Sequence, residues 1–493
     1  MAENQLEIGK LVAENDLYHE LLGGRFGIEI EEHRVTEEGR LSRRVYPDTL
    51  GPRATHPYLQ TDYSETQSEI VTEPATSFEM ARDLLLQLQW VLRDHMAENE
   101  TIWPLSMPPR LTPDDLQWVD ETFDRPWISE YRDWLTDKYG STHEIITGLH
   151  LNYSLPESLL EKLFALSDET DYVTYKNRVY FKLAQAISAN RWLFVYLFGA
   201  TPFSLNSTDS RLPELEHPVR SLRTSQFGFA NDANIQINYA TNLADHLDQI
   251  DQHIQAGDLY SNHEFYGTVR FKGPETKEAM VTEGVHYLEL RILDADPFDP
   301  AGISENALNI IHLVIIYLLL QDEVYSADDL VHADELANEI AMQSPTDKLP
   351  NQKEAMALMG EVSKLADHFG MRFNDGLSLI AERILTPSKT PAAKIVALAK
   401  TPDELQAWAT KVGNERGDLF HVKHDEQFED LFGRGELASV IKQAYELGVR
   451  VKERTRDTVT LSVGDNVEVL HESKDLTELF QKSYRPNLLT KRK

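Results

Sequence analysis

Two glutamates separated by one isoleucine are the first residues along the chain whose spacing suggests chemistry. In the segment Gly27–Glu31, Glu29 and Glu31 alternate with Ile28 and Ile30. Successive side chains of a β-strand point to opposite faces, so both carboxylates would lie on one face, roughly 6.5–7 Å apart. Two carboxylates at this spacing can each bind a different hard cation. The alternative is an ordinary solvated strand face, which this pentapeptide alone leaves open.

A second alternating segment carries an imidazole. Within Thr147–Tyr153, His150 and Asn152 alternate with Leu149 and Leu151. The polar pair would therefore share one face of a strand and the leucines the other. His150 is a candidate ligand, although a single histidine in such a position is more often a structural hydrogen-bonding group.

A third alternating segment combines a carboxylate with a guanidinium. Glu289 and Arg291 lie at alternate positions of Tyr287–Ile292 and would share a face. Such a pair could serve one metal ion and one phosphate oxygen. A cross-strand ion pair is the structural alternative.

The three strands together predict a sheet with one packed face and one functional face. A sheet face rich in glutamate repels itself, and divalent cations are its natural neutraliser. Oxygen-rich ligation favours Mg²⁺ or Mn²⁺ over zinc. The sequence contains neither a GxxxxGK[ST] phosphate-binding loop nor a Gly-x-Ser-x-Gly nucleophile elbow.

Helices and loops must hold these strands in place. Ser77–His95 and Tyr172–Ala189 have apolar residues at helical spacing and are predicted helices. Prolines in Ser344–Pro350 interrupt the helical pattern and predict a boundary between a catalytic body, residues 1–343, and a mainly helical region, residues 344–493. Within the second region, Thr458–Val463 and Val467–Leu470 flank a predicted hairpin turn.

Composition excludes several classes of function. A net charge of -33 opposes binding to nucleic acid or to anionic lipid. The chain has no cysteine, which excludes disulfides, thiolate metal sites and a cysteine nucleophile. The longest apolar stretch, Ala307–Leu320, is too short to cross a bilayer and predicts a buried helix. The first residues lack the features of a secretory signal, so we expect a cytoplasmic protein.

An ordered set of segments resembles the glutamate–cysteine ligase family over roughly residues 20 to 300. The segments are GIEIE, TDYSETQSEIVTEP, ETIWPLSMPP, TGLHLNYS, SLRTSQFGF and YLELRILDADPF. The resemblance is greatest to the ligase portion of the fused two-step glutathione synthetases of Gram-positive bacteria. Those proteins carry a further ATP-grasp domain, for which 493 residues leave no room, so we expect only the first step of glutathione synthesis.

The resemblance implies the fold, the substrates and the site. The implied fold is α+β and glutamine-synthetase-like, with a curved antiparallel sheet forming a funnel around Mg²⁺ and ATP. The implied reaction joins glutamate to cysteine, with no nucleic-acid or membrane partner. The implied metal-binding residues are Glu29, Glu31, Asp62, Glu69, Glu100, His150 and Glu289. Arg132 and Arg291 would bind the transferred phosphoryl group, Arg223 would hold substrate glutamate, and Tyr131 would line the cysteine pocket.

One departure from the family pattern concerns the acceptor. Phe229 stands where the family has a tyrosine after the Arg-x-Ser motif. Without this hydroxyl the enzyme would select its amine substrate differently, because a hydrogen-bonding group discriminates between substrates more strongly than an apolar pocket does. A γ-glutamyl ligase with another amine acceptor is therefore the nearest alternative. A protein that only sequesters divalent cations is a more distant one.

Overall fold

The computed structural model describes residues 6–123, 125, 128–206 and 211–477. The strands are β1 Arg25–Thr36, β2 Leu59–Thr61, β3 Gln67–Val71, β4 Glu100–Ile102, β5 Leu149–Ser154, β6 Val269–Lys272, β7 Tyr287–Leu293, β8 Arg450–Arg454, β9 Val459–Val463 and β10 Asn466–Leu470. The helices of the first 343 residues are α1 Ile8–Glu14, α2 Phe78–Asp94, α3 Pro113–Glu121, α4 Ser129–Tyr139, α5 Ser141–Glu144, α6 Glu157–Leu166, α7 Tyr172–Ala189, α8 Arg191–Phe198, α9 Leu243–Ala256, α10 Lys277–Glu283, α11 Glu305–Leu320 and α12 Ala327–Met342. The later helices are α13 Gln352–Ala366, α14 Asn374–Leu385, α15 Pro391–Leu398, α16 Pro402–Val422, α17 His424–Phe432 and α18 Glu436–Leu447.

An antiparallel sheet of seven strands organises the first part of the chain. Its strand order is β2-β3-β1-β5-β7-β6, and β4 pairs with the far end of β1. The long strand β1 thus pairs with three others. Neighbours in this order come from distant parts of the chain, so residues around positions 30, 70, 150 and 290 are brought side by side.

One face of the sheet is packed with apolar side chains. Ile28 and Ile30 of β1, Leu149 and Leu151 of β5, and Leu290 of β7 are each at most 1% exposed. Burial of this face removes a large apolar area from water, which is the main driving force for folding. The residues between them in the same strands therefore point to the opposite face of the sheet.

Helices cover the packed face. Helices α2 and α11 contact each other, and α2 also contacts β1 and β3. Helix α11 is buried along nearly its whole length, as its apolar sequence predicts, and it contacts α7, α13 and α14 as well. Helices α13 and α14 therefore pack on the same core as the sheet.

The structure confirms the α+β class and the antiparallel sheet. The three alternating segments are β1, β5 and β7, and both amphipathic segments are helices, α2 and α7. The boundary at residue 344 stays a prediction, and the loop there is held by Arg220, whose guanidinium donates to the carbonyls of Pro345 and Asp347. Strands β9 and β10 form a hairpin across residues 464 and 465.

No helix among the described residues is long and apolar enough to span a membrane.

Candidate functional site

A cavity of about 470 Å³ opens on the polar face of the sheet. The sheet supplies carboxylate, imidazole and guanidinium groups to this cavity, and α4, α5 and the loops around residues 125, 223 and 266 supply its other walls. The following residues line it: Glu29, Glu31, Asp62, Tyr63, Glu69, Phe123, Arg125, Ile128, Tyr131, Arg132, Leu135, Glu144, His150, Arg223, Phe229, His263, Tyr266, Gly267, Arg270, Lys272, Glu289 and Arg291.

Strand register brings the polar residues into rows across the sheet. Glu31 lies opposite Glu69 of β3, and Glu29 lies opposite His150 of β5. Glu289 of β7 lies opposite Arg270 of β6 on its other side. Residues directly opposite on antiparallel strands point to the same face, so the rows form one continuous polar surface.

Three of these groups meet closely enough to share one metal ion. The candidate ligand atoms of Glu29, His150 and Glu289 all lie within 4.8 Å of one another. Nδ1 of His150 lies 3.7 Å from a carboxylate oxygen of each glutamate. Asn152 donates to Glu29 at 2.7 Å and so fixes the orientation of that carboxylate. Two carboxylates and one neutral imidazole suit a divalent cation.

A second group of carboxylates lies beside the first. Burial, followed by the charges of Asp62 and Glu69, raises the pKa of Glu31 well above its usual value. Burial, with Asp62 and Glu29, raises the pKa of Glu69 to about 8. Burial and mutual repulsion favour the protonated form of carboxylates, and a bound cation would favour the ionised form.

Cations collect at the other end of the sheet, around Glu289. Arg291 donates to Glu289 at 3.0 Å, and the ammonium of Lys272 lies 2.7 Å from it. Burial opposes ionisation of Glu289, yet Arg291, Arg270 and Lys272 hold its pKa well below its usual value. The cavity is therefore anionic near β3 and cationic near β6.

The side chain of Arg223 lines the cavity beside Gly148. Its guanidinium donates to the carbonyls of Arg291 and Leu293 and lies 3.8 Å from Asp294. A Cβ on Gly148 would lie 1.9 Å from this guanidinium. Gly148 is thus required for Arg223 to occupy its position. The amide of Gly148 also donates to Glu31 at 3.0 Å.

Comparison with known proteins gives the family. The family model for glutamate-cysteine ligase matches residues 10–260 and 252–339, which is more than half of the chain. The chain belongs to the glutamate–cysteine ligase family.

Curated relatives of this ligase-family chain are bifunctional glutathione biosynthesis proteins. The protein of Streptococcus thermophilus is 34% identical over 80% of this chain and 52% of its own length. The protein of Pasteurella multocida is 30% identical over 94% of this chain and 62% of its own length. The chain thus spans about half the length of the curated relatives it matches.

Solved structures agree in fold. The bifunctional glutathione synthetase from Pasteurella multocida superimposes with a TM-score of 0.86 and 26% identity, covering 96% of this chain and 64% of the other. A glutamate–cysteine ligase from Francisella tularensis in complex with AMP has a TM-score of 0.71 and 23% identity, covering 86% of this chain and 97% of the other. The second likeness establishes the glutamate–cysteine ligase fold alone.

Most of the residues implied by the family resemblance line the cavity. Those on the cavity wall are Glu29, Glu31, Asp62, Glu69, Tyr131, Arg132, His150, Arg223, Phe229, Glu289 and Arg291. The antiparallel register explains how six of them, from the four strands β1, β3, β5 and β7, reach one surface.

Arg132 lies in the wall with its donors already engaged. It donates to the carbonyls of Tyr63, Val119 and Asp120, and its guanidinium lies 4.4 Å from the ring centroid of Tyr63. This arrangement fixes α4 against the C-terminal end of α3 and the loop between β2 and β3. Arg132 also lines the cavity, and its binding of the phosphoryl group stays a prediction.

Glu100 is not brought to the cavity, which corrects its expected role as a metal ligand. It pairs with β1 near the far end, and Arg34 donates to it at 3.2 Å. Ser42 also donates to the same carboxylate, and the amide of Ala97 donates at 3.0 Å. Both charged side chains are at most 2% exposed, so Glu100 is a buried structural ion-pair partner.

Tyr131 and Phe229 line the wall that faces the sheet. The ring of Tyr131 lies 5.3 Å from that of Tyr260. The ring of Phe229 lies 5.2 Å from Tyr266 and 5.7 Å from the guanidinium carbon of Arg223. Phe229 therefore contacts both an aromatic wall and the candidate glutamate-binding arginine.

Sequence reasoning missed several cavity residues. Arg270 and Lys272 alternate with Val269 and Phe271 in β6, so the same period-two pattern could have identified them. Arg125, which donates to the carbonyl of Asp62, gives no such signal because it comes from a loop. Glu144, at the end of the four-residue helix α5, gives none either.

Proposed function

We propose that this chain ligates the γ-carboxyl of L-glutamate to the α-amine of L-cysteine at the expense of ATP, by way of γ-glutamyl phosphate. This reaction is the first step of glutathione synthesis. The observation that carries the proposal is the meeting of Glu29, His150 and Glu289 within 4.8 Å, inside a cavity where Arg291 and Lys272 lie directly beside Glu289. Membership of the glutamate–cysteine ligase family supports the substrates.

The donor set supports Mg²⁺ or Mn²⁺ as the metal. Glu29, His150 and Glu289 would hold one ion, and Glu31, Asp62 and Glu69 would hold further positive charge beside it. When bound, such ions neutralise the phosphates and polarise the phosphoryl oxygens of ATP.

The residues of the chain then position the reactants. Arg223 would bind a carboxylate of glutamate, as the family resemblance implies. The γ-carboxylate oxygen attacks the γ-phosphorus in line and displaces ADP. Arg291, Arg270 and Lys272 lie where they can stabilise negative charge on the transferred group. The acceptor amine then attacks the acyl carbon, a C–N bond forms, and phosphate leaves.

A coupled assay of ADP release tests the proposal. We expect ADP release to require glutamate, an amine and a divalent cation together, and mass spectrometry to detect γ-glutamylcysteine. Metal binding without glutamate-stimulated ATP turnover would favour a cation-sequestering protein and contradict the ligase.

Phe229 supports a second candidate, a γ-glutamyl ligase with another acceptor. Its ring lines the cavity beside Tyr266 and presents no hydroxyl to an incoming amine. Parallel assays with cysteine, 2-aminobutyrate and simple alkylamines distinguish the two. Cysteine should give the highest kcat/KM, and a higher value for another amine would favour the second candidate.

A further inference from the structure

One carboxylate of the cavity comes from a helix and not from a strand. Glu144 is the last residue of helix α5, and it is only 4% exposed. Its side chain lines the same cavity as the candidate metal ligands. Nothing in the proposed reaction has so far used it.

Glu144 has little to compensate its charge. Its hydrogen-bond donor among the described residues is the hydroxyl of Tyr266, at 3.3 and 3.5 Å from the two carboxylate oxygens. No ion pair to Glu144 occurs within the described ranges. A buried carboxylate without a cation is costly, and an ammonium group from a ligand would relieve that cost.

The surroundings of Glu144 are mainly aromatic. The ring of Tyr266 packs edge-on against Phe229 at 5.2 Å and against Tyr139 at 5.6 Å. The titratable and charged groups around Glu144 are Asp62, Tyr131, Arg211, Glu264 and Tyr266, with His143 preceding it in the chain. Burial, followed by the charge of Asp62, raises the pKa of Glu144 to about 8, a value suited to proton transfer near neutral pH.

We propose that Glu144 binds the ammonium group of the acceptor and removes one proton from it, so that the neutral amine can attack the acyl phosphate. This inference rests on the proposed ligase function. The acceptor R–NH₃⁺ and the Glu144 carboxylate become R–NH₂ and the carboxylic acid. The amine nitrogen then forms a bond to the acyl carbon, the carbon–oxygen bond to phosphate breaks, and the second N–H proton leaves with phosphate or to solvent.

The location of Glu144 supports the acceptor as its ligand. The phosphoryl donor would be drawn to the metal cluster and to Arg270, Lys272 and Arg291, all of which lie on strands, whereas Glu144 reaches the cavity from α5. Arg223, the candidate glutamate-binding residue, lies 5.7 Å from Phe229, and Phe229 contacts Tyr266. An amine seated against Phe229 and Tyr266 would therefore lie between the carboxylate of Glu144 and bound glutamate.

Hydroxylamine, used as the acceptor in place of cysteine, tests the role of Glu144 in amine deprotonation separately from phosphoryl transfer. Near pH 7 it is largely unprotonated, so it attacks an acyl phosphate without a base and without an ammonium site. We expect Glu144→Gln to lower kcat/KM for cysteine, or for whichever amine the wild type prefers, by about 100-fold. The same variant should form γ-glutamyl hydroxamate within about threefold of the wild-type rate, with an unchanged KM for glutamate.

Glu32→Gln is the matched control. Glu32 is also a buried glutamate whose pKa is raised by burial, but it lies outside the cavity and accepts from Gln89. This variant should leave both amide and hydroxamate formation unchanged. Glu144→Asp keeps the charge but withdraws it by one methylene. It should also lower kcat/KM for the amine, though by less, and leave hydroxamate formation near the wild-type rate. This variant replaces Glu144→Gln in the test if the glutamine variant does not fold.

Three outcomes would overturn the inference. Equal losses of amide and hydroxamate formation in Glu144→Gln would mean that Glu144 acts in phosphoryl transfer. A tenfold higher KM for glutamate would mean that it acts in binding glutamate. Wild-type rates with the amine would show that it has no part in acceptor use. Failure of the proposed function is different, because the wild type itself would then form neither hydroxamate nor ADP.

Discussion

Glu31 and Glu69 lie directly opposite each other on β1 and β3, with both carboxylates in the cavity. Like charges opposite each other on antiparallel strands are destabilising, and burial increases the effect. The pair is therefore a source of instability that a bound divalent cation would remove.

Divalent cations should stabilise the fold. We expect Mg²⁺ at about 100 times its dissociation constant to add about 2.7 kcal/mol to the free energy of unfolding. Glu69→Gln should reduce this gain, while its metal-free form should be no less stable than the metal-free wild type, because repulsion is relieved. Thermal melting with Mg²⁺ and with EDTA measures both. An equal gain in the variant would place the metal elsewhere.

The two glutamates of the metal cluster should be essential for phosphoryl transfer. Glu29→Gln and Glu289→Gln each replace a ligand of the Glu29, His150 and Glu289 cluster. We expect each to lower glutamate-dependent ADP release by roughly 100-fold or more, because the charge that offsets the phosphates is lost. Circular dichroism should show a folded protein. Near-normal turnover in both variants would contradict the cluster.

Gly148 should be needed for the position of Arg223. In Gly148→Ala the new Cβ would meet the guanidinium at 1.9 Å and displace it. We expect KM for glutamate to rise tenfold or more, with a smaller effect on KM for ATP, in steady-state assays. Gly360→Ala is the control, since Gly360 is an exposed residue of α13 with open space around it. That variant should gain about 1 kcal/mol of stability and keep full activity.

Glu100 should matter for stability and not for metal binding. Glu100→Gln would leave the buried Arg34 without its charge partner, which should cost about 3 kcal/mol of unfolding free energy. Urea denaturation measures the loss. Isothermal titration calorimetry with Mg²⁺, at a temperature where the variant is folded, should give the wild-type affinity. A tenfold weaker affinity would mean that Glu100 is a metal ligand after all.

Buried His246 should make the fold sensitive to acid. Burial lowers its pKa from 6.5 to about 4, so the unfolded chain takes up the proton first. The stability that neutral His246 provides is fully present above pH 6.5 and is lost as pH falls towards 4. This loss is about 3 kcal/mol in all, of which about 2 kcal/mol falls between pH 7 and pH 5.

His246→Phe tests this dependence. The variant loses the hydrogen bond between Nδ1 and the carbonyl of Asn238, which should cost about 1 kcal/mol at pH 7. It should also lose about 2 kcal/mol less than the wild type between pH 7 and pH 5 in urea denaturation. An unchanged pH dependence would mean that His246 is not the responsible group.

The sequence by itself determined the strands and their polar faces. Period-two alternation identifies which side of a strand is apolar, because only one side can be packed. This is why Glu29, His150 and Glu289 could be assigned to a functional face from three short segments. The acidic composition and the lack of cysteine likewise narrowed the chemistry to oxygen and imidazole ligands.

Only the tertiary structure decided which polar residues share the cavity. Glu100 and Glu69 are both acidic residues in short strands beside β1, but register sends one to Arg34 and the other to the cavity. Glu144 reaches the cavity from a four-residue helix and Arg125 from a loop. Neither segment has a sequence periodicity that could predict where its side chains point. Such positions depend on how distant segments pack, and packing is a property of the whole chain.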